Sequence, residues 1–419
     1  MAEVELECRL ARNYTLENVP NALAYLLIKV IPDPALDFGS MPVNLGLVID
    51  ASRSMGGKKI KFAREAAKLL VNALSPQDSV SVTIFSDDAE VIVPATKAGQ
   101  VGPIIYALDK MHVISGTRMY HGMETGVREM QKAGFDNAIN RMIILTDGMT
   151  EGEERCCSIA EQEADNRVVI STFGIGDKYN EDLLIDISGK TLGSFQHLQS
   201  PEHIIKQFQQ ELRESAASVI SDVRLSIHLT KDVELEQIHR IFPDCVKLKP
   251  GVESEGRVLS VAVGNIRKDE QTCLGAQFRL PSRSASRMQI AQVYVNYSVP
   301  ALQIQDRVLK NSVIVEFTGD HDLCGMVDRE VIAYFNQINA QSLIEKAMKE
   351  TKAGNIAAAT QLLNQAQLLT QRIGNAPLTR IIDDAVQEIK NTGVISSGVM
   401  KTVRAGSSQT VRIAEADIK

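Results

Sequence analysis

No run of about 18 apolar residues occurs in this chain, so no transmembrane helix is expected. The opening residues, Met1-Ala2-Glu3-Val4-Glu5, are acidic and lack an apolar stretch, so no secretory signal is expected either. Positive charge is not in excess. The net charge of −7 argues against a general nucleic-acid binder, which needs a basic surface to neutralise phosphates. The six cysteines (Cys8, Cys156, Cys157, Cys245, Cys273 and Cys324) contain no C-x-x-C, and the adjacent pair Cys156-Cys157 suits neither a metal nor a disulfide. Their wide spacing fits a reducing cytosol, so a cytoplasmic location is expected. Tryptophan is absent, which limits nothing. No histidine lies in an H-E-x-x-H motif, and Gly56-Gly57-Lys58 lacks the frame of a phosphate-binding P-loop. What is present is ordinary for a soluble globular protein: 44 % hydrophobic and 23 % charged residues in 419, enough for two or three domains.

Hydrophobic periodicity divides the chain. In the first 42 residues, Val4, Leu6, Cys8 and Leu10 alternate with polar residues, and Ala24–Ile31 is a second apolar run bounded by prolines. From residue 43 to 218, strands alternate with helices. The strands are Val43–Ile49, Ser79–Phe85, Glu90–Val93, Arg141–Thr146 and Val168–Ile175. The helices are Lys58–Leu74, Ile104–Met111, Met119–Ala133, Glu153–Asn166, Glu181–Ser188 and Pro201–Ala217. Such alternation predicts a doubly wound, mostly parallel sheet. Over 219–320 the period becomes two: Val223, Leu225, Ile227 and Leu229 alternate with polar residues, as in a half-buried antiparallel strand. Further short strands predict a β-sandwich. The N-terminal strands have no partners in the parallel block, so they are expected to complete this sandwich, with the α/β domain inserted between them and it. Residues 328–392 read as helices, Arg329–Thr351, Ile356–Arg372 and Leu378–Lys390, stopped at Gly354-Asn355 and at Gly374-Asn375-Ala376-Pro377. Residues 393–419, rich in Ser, Thr, Gly and Arg, read as a flexible tail.

The most informative stretch is Asp50-Ala51-Ser52-Arg53-Ser54, which follows the apolar run Val43–Ile49. A carboxylate and two hydroxyls at i, i+2 and i+4 past a strand end form an oxygen-only ligand set, the kind preferred by hard cations such as Mg²⁺. Val43–Met55 resembles the first strand and metal loop of the von Willebrand factor A (VWA) family, whose metal-ion-dependent adhesion site (MIDAS) carries an Asp-x-Ser-x-Ser motif. Asp50, Ser52 and Ser54 match it. Ser115-Gly116-Thr117 resembles the loop that supplies a threonine, and Met142–Gly148 the strand and loop that supply a second aspartate, here Asp147. The resemblance covers about 175 residues in matching element order.

The resemblance implies a Mg²⁺ site (or Mn²⁺ or Ca²⁺) held by Asp50, Ser52, Ser54, Thr117 and Asp147. Two carboxylates nearly neutralise a divalent ion, and neutral hydroxyls leave it electrophilic. In the family, an Asp or Glu of a protein partner takes the open position. The implied function is a non-enzymatic, intracellular, bacterial protein-binding scaffold, with Ser/Thr kinase, phosphatase or MoxR-type ATPase systems as expected associates. Two other readings stand beside it: a metal-dependent phosphohydrolase, and a metal-free structural scaffold. Residue by residue, Asp50 and Ser54 are equally readable as N-caps of the next helix, and Asp147-Gly148 as a plain turn. Arg53 and Arg118 depart from the family pattern. They either repel a cation, recruit an acidic partner or face solvent. The near-repeat Lys401-Thr402-Val403-Arg404 and Gln409-Thr410-Val411-Arg412 reads as kinase-acceptor threonines, as a solvated tail, or as a last strand docked on the sandwich.

Overall fold

In the computed structural model, residues 3–35, 41–136, 138–253, 256–268 and 270–413 are described. The chain forms two compact units, 39–219 on one hand and 1–38 with 220–419 on the other. In chain order the elements begin with strands β1 (Val4–Leu10), β2 (Tyr14–Leu16) and β3 (Ala22–Pro32). The α/β unit follows: β4 (Val43–Asp50), α1 (Lys58–Ala73), β5 (Ser79–Phe85), β6 (Ala89–Lys97), α2 (Val101–Leu108), α3 (Met119–Ala133), β7 (Ile139–Thr146), α4 (Glu153–Asp165), β8 (Val169–Ile175), α5 (Glu181–Lys190), β9 (Phe195–Leu198) and α6 (His203–Ala216). The chain then returns to the first unit with β10 (Ser218–Leu229), β11 (Glu234–Phe242), β12 (Val246–Lys247), β13 (Gly251–Glu253), β14 (Val258–Arg267), β15 (Thr272–Leu280), β16 (Ser286–Val299) and β17 (Ile304–Thr318). Helices α7 (His321–Gly325), α8 (Arg329–Lys352), α9 (Ile356–Arg372), α10 (Ala376–Thr392) and α11 (Ser397–Ser407) end it.

The α/β unit is built on the sheet order β6-β5-β4-β7-β8-β9, parallel except for β6. Pro94 lies in that antiparallel edge strand, where a missing N–H costs no ladder bond. Every residue of β4 is buried, because helices cover both faces of the sheet. Leu45, Leu47 and Ile49 pack with Ile60, Ala63, Ala67 and Leu70 of α1 and with Phe208 of α6. Each such large aliphatic side chain contributes about 1.5–3 kcal/mol by leaving water. On the opposite face α3 approaches so closely that a Cβ on Gly126 would lie 2.7 Å from Val48. Helix α2 starts three residues earlier than its apolar periodicity suggests. Pro103 falls in its first turn, where no N–H is needed.

The second unit has two sheets, β1-β3-β15-β11-β12 and β13-β14-β10-β16-β17-β2. The N-terminal β1 and β3 pair antiparallel with each other, and β3 pairs with β15. Alternation along β3 assigns its two faces. Leu27 faces the helices, in one cluster with Val331, Tyr334, Phe335 and Ile338 of α8. Leu26, Ile28 and Val30 lie on the other face and are fully buried. An ion-pair cluster fixes the start of α8. Asp328 caps the helix by accepting from Val331 N at 3.1 Å, and Arg9 Nε donates to the same carboxylate at 2.9 Å. Glu330, buried, accepts from Lys29 Nζ at 2.5 Å and Arg9 Nη1 at 2.6 Å.

The expected flexible tail, 393–419, is corrected over its described part. Residues 397–407 are helix α11, capped by Ser396, with Val403 fully buried among α8, α9 and α10. Beyond it, Gln409 bridges to Asp244, Val411 and Gln337 exchange two hydrogen bonds, and Ile413 N donates to Tyr334 Oη. Val399 and Val403, four residues apart, supply the apolar stripe that anchors the segment. Residues 414–419 lie outside the described residues.

Candidate metal centre

Strands β4 and β7 are parallel neighbours with Ile49 opposite Leu145, so both chains leave the sheet at the same edge. Asp50 ends β4 and Asp147 follows β7 directly. This is the carboxyl edge of an open α/β sheet, where such folds bind ligands. Asp50 is wholly buried, and Asp147 and Ser52 nearly so. Ser54 is exposed and Thr117 half-buried, so the group has a closed floor and an open mouth.

Hydrogen bonds link four of the five expected residues. Ser52 N donates to Asp50 Oδ1 at 2.8 Å. The hydroxyls of Ser52 and Ser54 lie 2.9 Å apart, and Ser54 Oγ donates to Asp147 Oδ1 at 2.6 Å. Thr117 joins through its backbone: its carbonyl accepts from Thr150 Oγ1 at 3.1 Å and Glu151 N at 3.2 Å, which ties its loop to the loop that carries Asp147. The Thr117 loop is held from the other side as well. Ile114 N donates to the Ala51 carbonyl at 2.6 Å and Arg118 N to the Ser86 carbonyl at 2.7 Å. At Gly116, φ is +93° and a Cβ would fall 2.0 Å from the Asp87 carboxylate, so only glycine fits that turn.

Burial pushes the Asp50 carboxyl above the usual carboxylate range. Hydrogen bonds from Thr146 and Ser52 pull it back, and the nearby charge of Asp147 raises it again. Among the described residues no cation pairs with Asp50; its second oxygen accepts from Thr146 Oγ1 at 2.7 Å. Asp147 Oδ2 accepts from Lys59 Nζ. Two buried carboxylates therefore face one ammonium group. Two carboxylates, the Ser52 and Ser54 hydroxyls and a deficit of positive charge fit a hard divalent cation.

Neither Asp50 nor Ser54 caps α1, since Gly57 holds the N-cap position. Arg118 pairs with Glu151 at 3.1 Å at the surface, and Arg53 is exposed. Two contributors escaped sequence reading. Thr146 carried a weak signal, as the hydroxyl immediately before Asp147. Lys59 carried none, because its partner lies 88 residues away.

The family described as von Willebrand factor type A domain matches residues 44–211, and the family described as Sll0103-like, C-terminal alpha-helical domain matches residues 329–412. The chain is 23 % identical to the Synechocystis protein sll0103 over 377 residues, 89 % of each chain. It is 25 % identical to YfbK of Escherichia coli (strain K12) over 44 % of this chain but only 33 % of that one. It is 24 % identical to human inter-alpha-trypsin inhibitor heavy chain H2 over 48 % of this chain and 23 % of that one. Among solved structures, a von Willebrand factor type A protein from Catenulispora acidiphila superposes with a TM-score of 0.84 at 18 % identity, covering 98 % of this chain and 97 % of that one. The ArnB paralog VWA2 from Sulfolobus acidocaldarius gives 0.65 at 18 % identity, covering 98 % and 100 %. Residues 44–211 are thus a von Willebrand factor type A domain.

Proposed function

We propose that this protein is a non-enzymatic binding scaffold whose VWA domain holds Mg²⁺, or Mn²⁺ or Ca²⁺, at Asp50, Ser52, Ser54, Thr117 and Asp147, and captures an acidic residue of a protein partner there. One observation carries the reading: two buried carboxylates at the ends of adjacent parallel strands, joined through the Ser52–Ser54 hydroxyls and left short of positive charge. A bound divalent ion would supply an electrophilic position able to accept the partner's Asp or Glu. The chain's residues do the rest. Asp50 and Asp147 supply charge at the floor, and Ser52, Ser54 and Thr117 supply neutral oxygen toward the mouth. The lacing of the Thr117 and Asp147 loops keeps the set together without the partner. No residue is assigned a catalytic role.

All six cysteines are free, which supports a reducing, cytoplasmic setting. The hydroxyls of Thr402 and Thr410 donate to the Gly398 and Pro243 carbonyls, so they lend no support to a phosphothreonine-read kinase, phosphatase or ATPase partner. The test is capture of partners by the immobilised full chain. Proteins retained in Mg²⁺ should be released by EDTA and absent with Asp147→Ala. Identical retention in all three conditions would refute metal-mediated binding.

A further inference from the structure

We infer that Lys59 is a tethered counter-cation, which neutralises Asp147 while no metal is bound and is displaced when a divalent ion binds. This rests on the metal reading above and adds a residue to it. The two oxygens of Asp147 have different partners. Oδ1 accepts from Ser54, at the end of the hydroxyl ladder that begins at Ser52, and Oδ2 accepts from the Lys59 ammonium. A divalent ion drawn to that ladder meets a positive charge already seated on the same carboxylate.

The placement of Lys59 is costly for its own helix. It is the second residue of α1, whose first turn contains no acidic residue. A cation there opposes the positive end of the helix dipole. The ion pair with Asp147 explains why a lysine sits at this point. The two partners also differ in exposure. The Asp147 side chain is fully buried, whereas that of Lys59 is 31 % exposed. The carboxylate cannot leave, but the lysine can. Its long stem lets the ammonium swing into solvent at the mouth without disturbing the floor. Metal affinity is then set by competition between a tethered monovalent cation and a free divalent one.

Three variants of the full chain test this, each titrated with Mn²⁺ and followed by the paramagnetic resonance signal of the free ion. Lys59→Met and Lys59→Gln remove the charge and keep most of the stem, and Lys59→Arg keeps both. The expected result is about tenfold tighter Mn²⁺ binding for Lys59→Met and Lys59→Gln, with Lys59→Arg close to wild type. Without metal, the same two neutral variants should melt below wild type, because Asp147 loses its counter-charge. Added Mn²⁺ should raise their melting temperature more than it raises that of wild type. Binding seen only after the charge is removed would support the inference in its strongest form. If wild type binds Mn²⁺ and the neutral variants bind it equally or more weakly, Lys59 is no competitor and only this inference fails. If well-folded wild type and neutral variants all fail to bind, the metal reading fails and takes the inference with it.

Discussion

Two places in this molecule bury carboxylates, and they are neutralised differently. At the start of α8, Glu330 is held by both Lys29 and Arg9, and Arg9 also pairs with Asp328. The chain's own cations satisfy that cluster. At the carboxyl edge of the α/β sheet, Asp50 receives hydroxyl and backbone N–H donors from Thr146 and Ser52 but, among the described residues, no cation, and Asp147 receives one partly exposed lysine. A buried charge without a partner is disfavoured, so an arrangement of this kind makes sense when something outside the chain completes it. The first cluster fixes a helix to a sheet, and the second is the one proposed to take a divalent ion.

The contrast is tested most severely at Glu330. Replacing it by alanine leaves buried Lys29 with only the more distant Glu7 carboxylate, 3.5 Å away, and should cost about 3 kcal/mol in urea denaturation of the full chain. Asp50→Asn should behave in the opposite way, as described below. A small loss at Glu330 would mean that the two clusters do not differ in kind.

The acid response separates the two units next. His239, on β11, is buried with Lys247 opposite it across the strand pair, and burial with that nearby charge lowers its pKa to about 4. The unfolded chain takes up this proton near the ordinary value, about 6.5. Stability present above that value is therefore lost as pH falls toward 4, by up to about 3 kcal/mol. His239→Gln should flatten this loss. Asp50 has the opposite sign. Its raised pKa favours the protonated form in the folded state, so in metal-free protein its contribution is present at low pH and is lost as pH rises through the folded value.

Gly116 offers a smaller effect on stability. Gly116→Ala places a side chain at positive φ against the Asp87 carboxylate, and should cost about 1–3 kcal/mol while weakening metal binding through Thr117. Full metal affinity in this variant would detach Thr117 from the site. The smallest change is expected for Asp50→Asn in metal-free protein, a gain of about 1 kcal/mol from removing an unpaired buried charge. A large loss would show that the charge is compensated in the folded chain.

Much of this architecture is legible in the sequence. Runs such as Val43–Ile49 and Met142–Thr146 announce buried parallel strands. Gly354 and Gly374 announce helix ends, and both adopt positive φ. What escaped has physical reasons. In β11, Glu234–Phe242, the first residues are mostly polar and the last five all buried, so neither alternation nor a continuous apolar run stands out. β2 is three residues long and pairs parallel at a sheet edge. Helix α11 looks like a tail because small polar residues outnumber its anchoring valines. At the site, the spacing of Asp50, Ser52 and Ser54 marks the floor and the mouth. Thr146 and Lys59 act through contacts across 96 and 88 residues, which no local pattern encodes.

In the proposed reading, a divalent cation supplies the positive charge that the α/β site lacks. Isothermal titration of the metal-free full chain with Mg²⁺ tests it most directly. Saturable one-to-one binding is expected, and Asp50→Ala and Asp147→Ala should each abolish it. Titration of well-folded wild-type protein without binding, or binding unchanged by both substitutions, would contradict it.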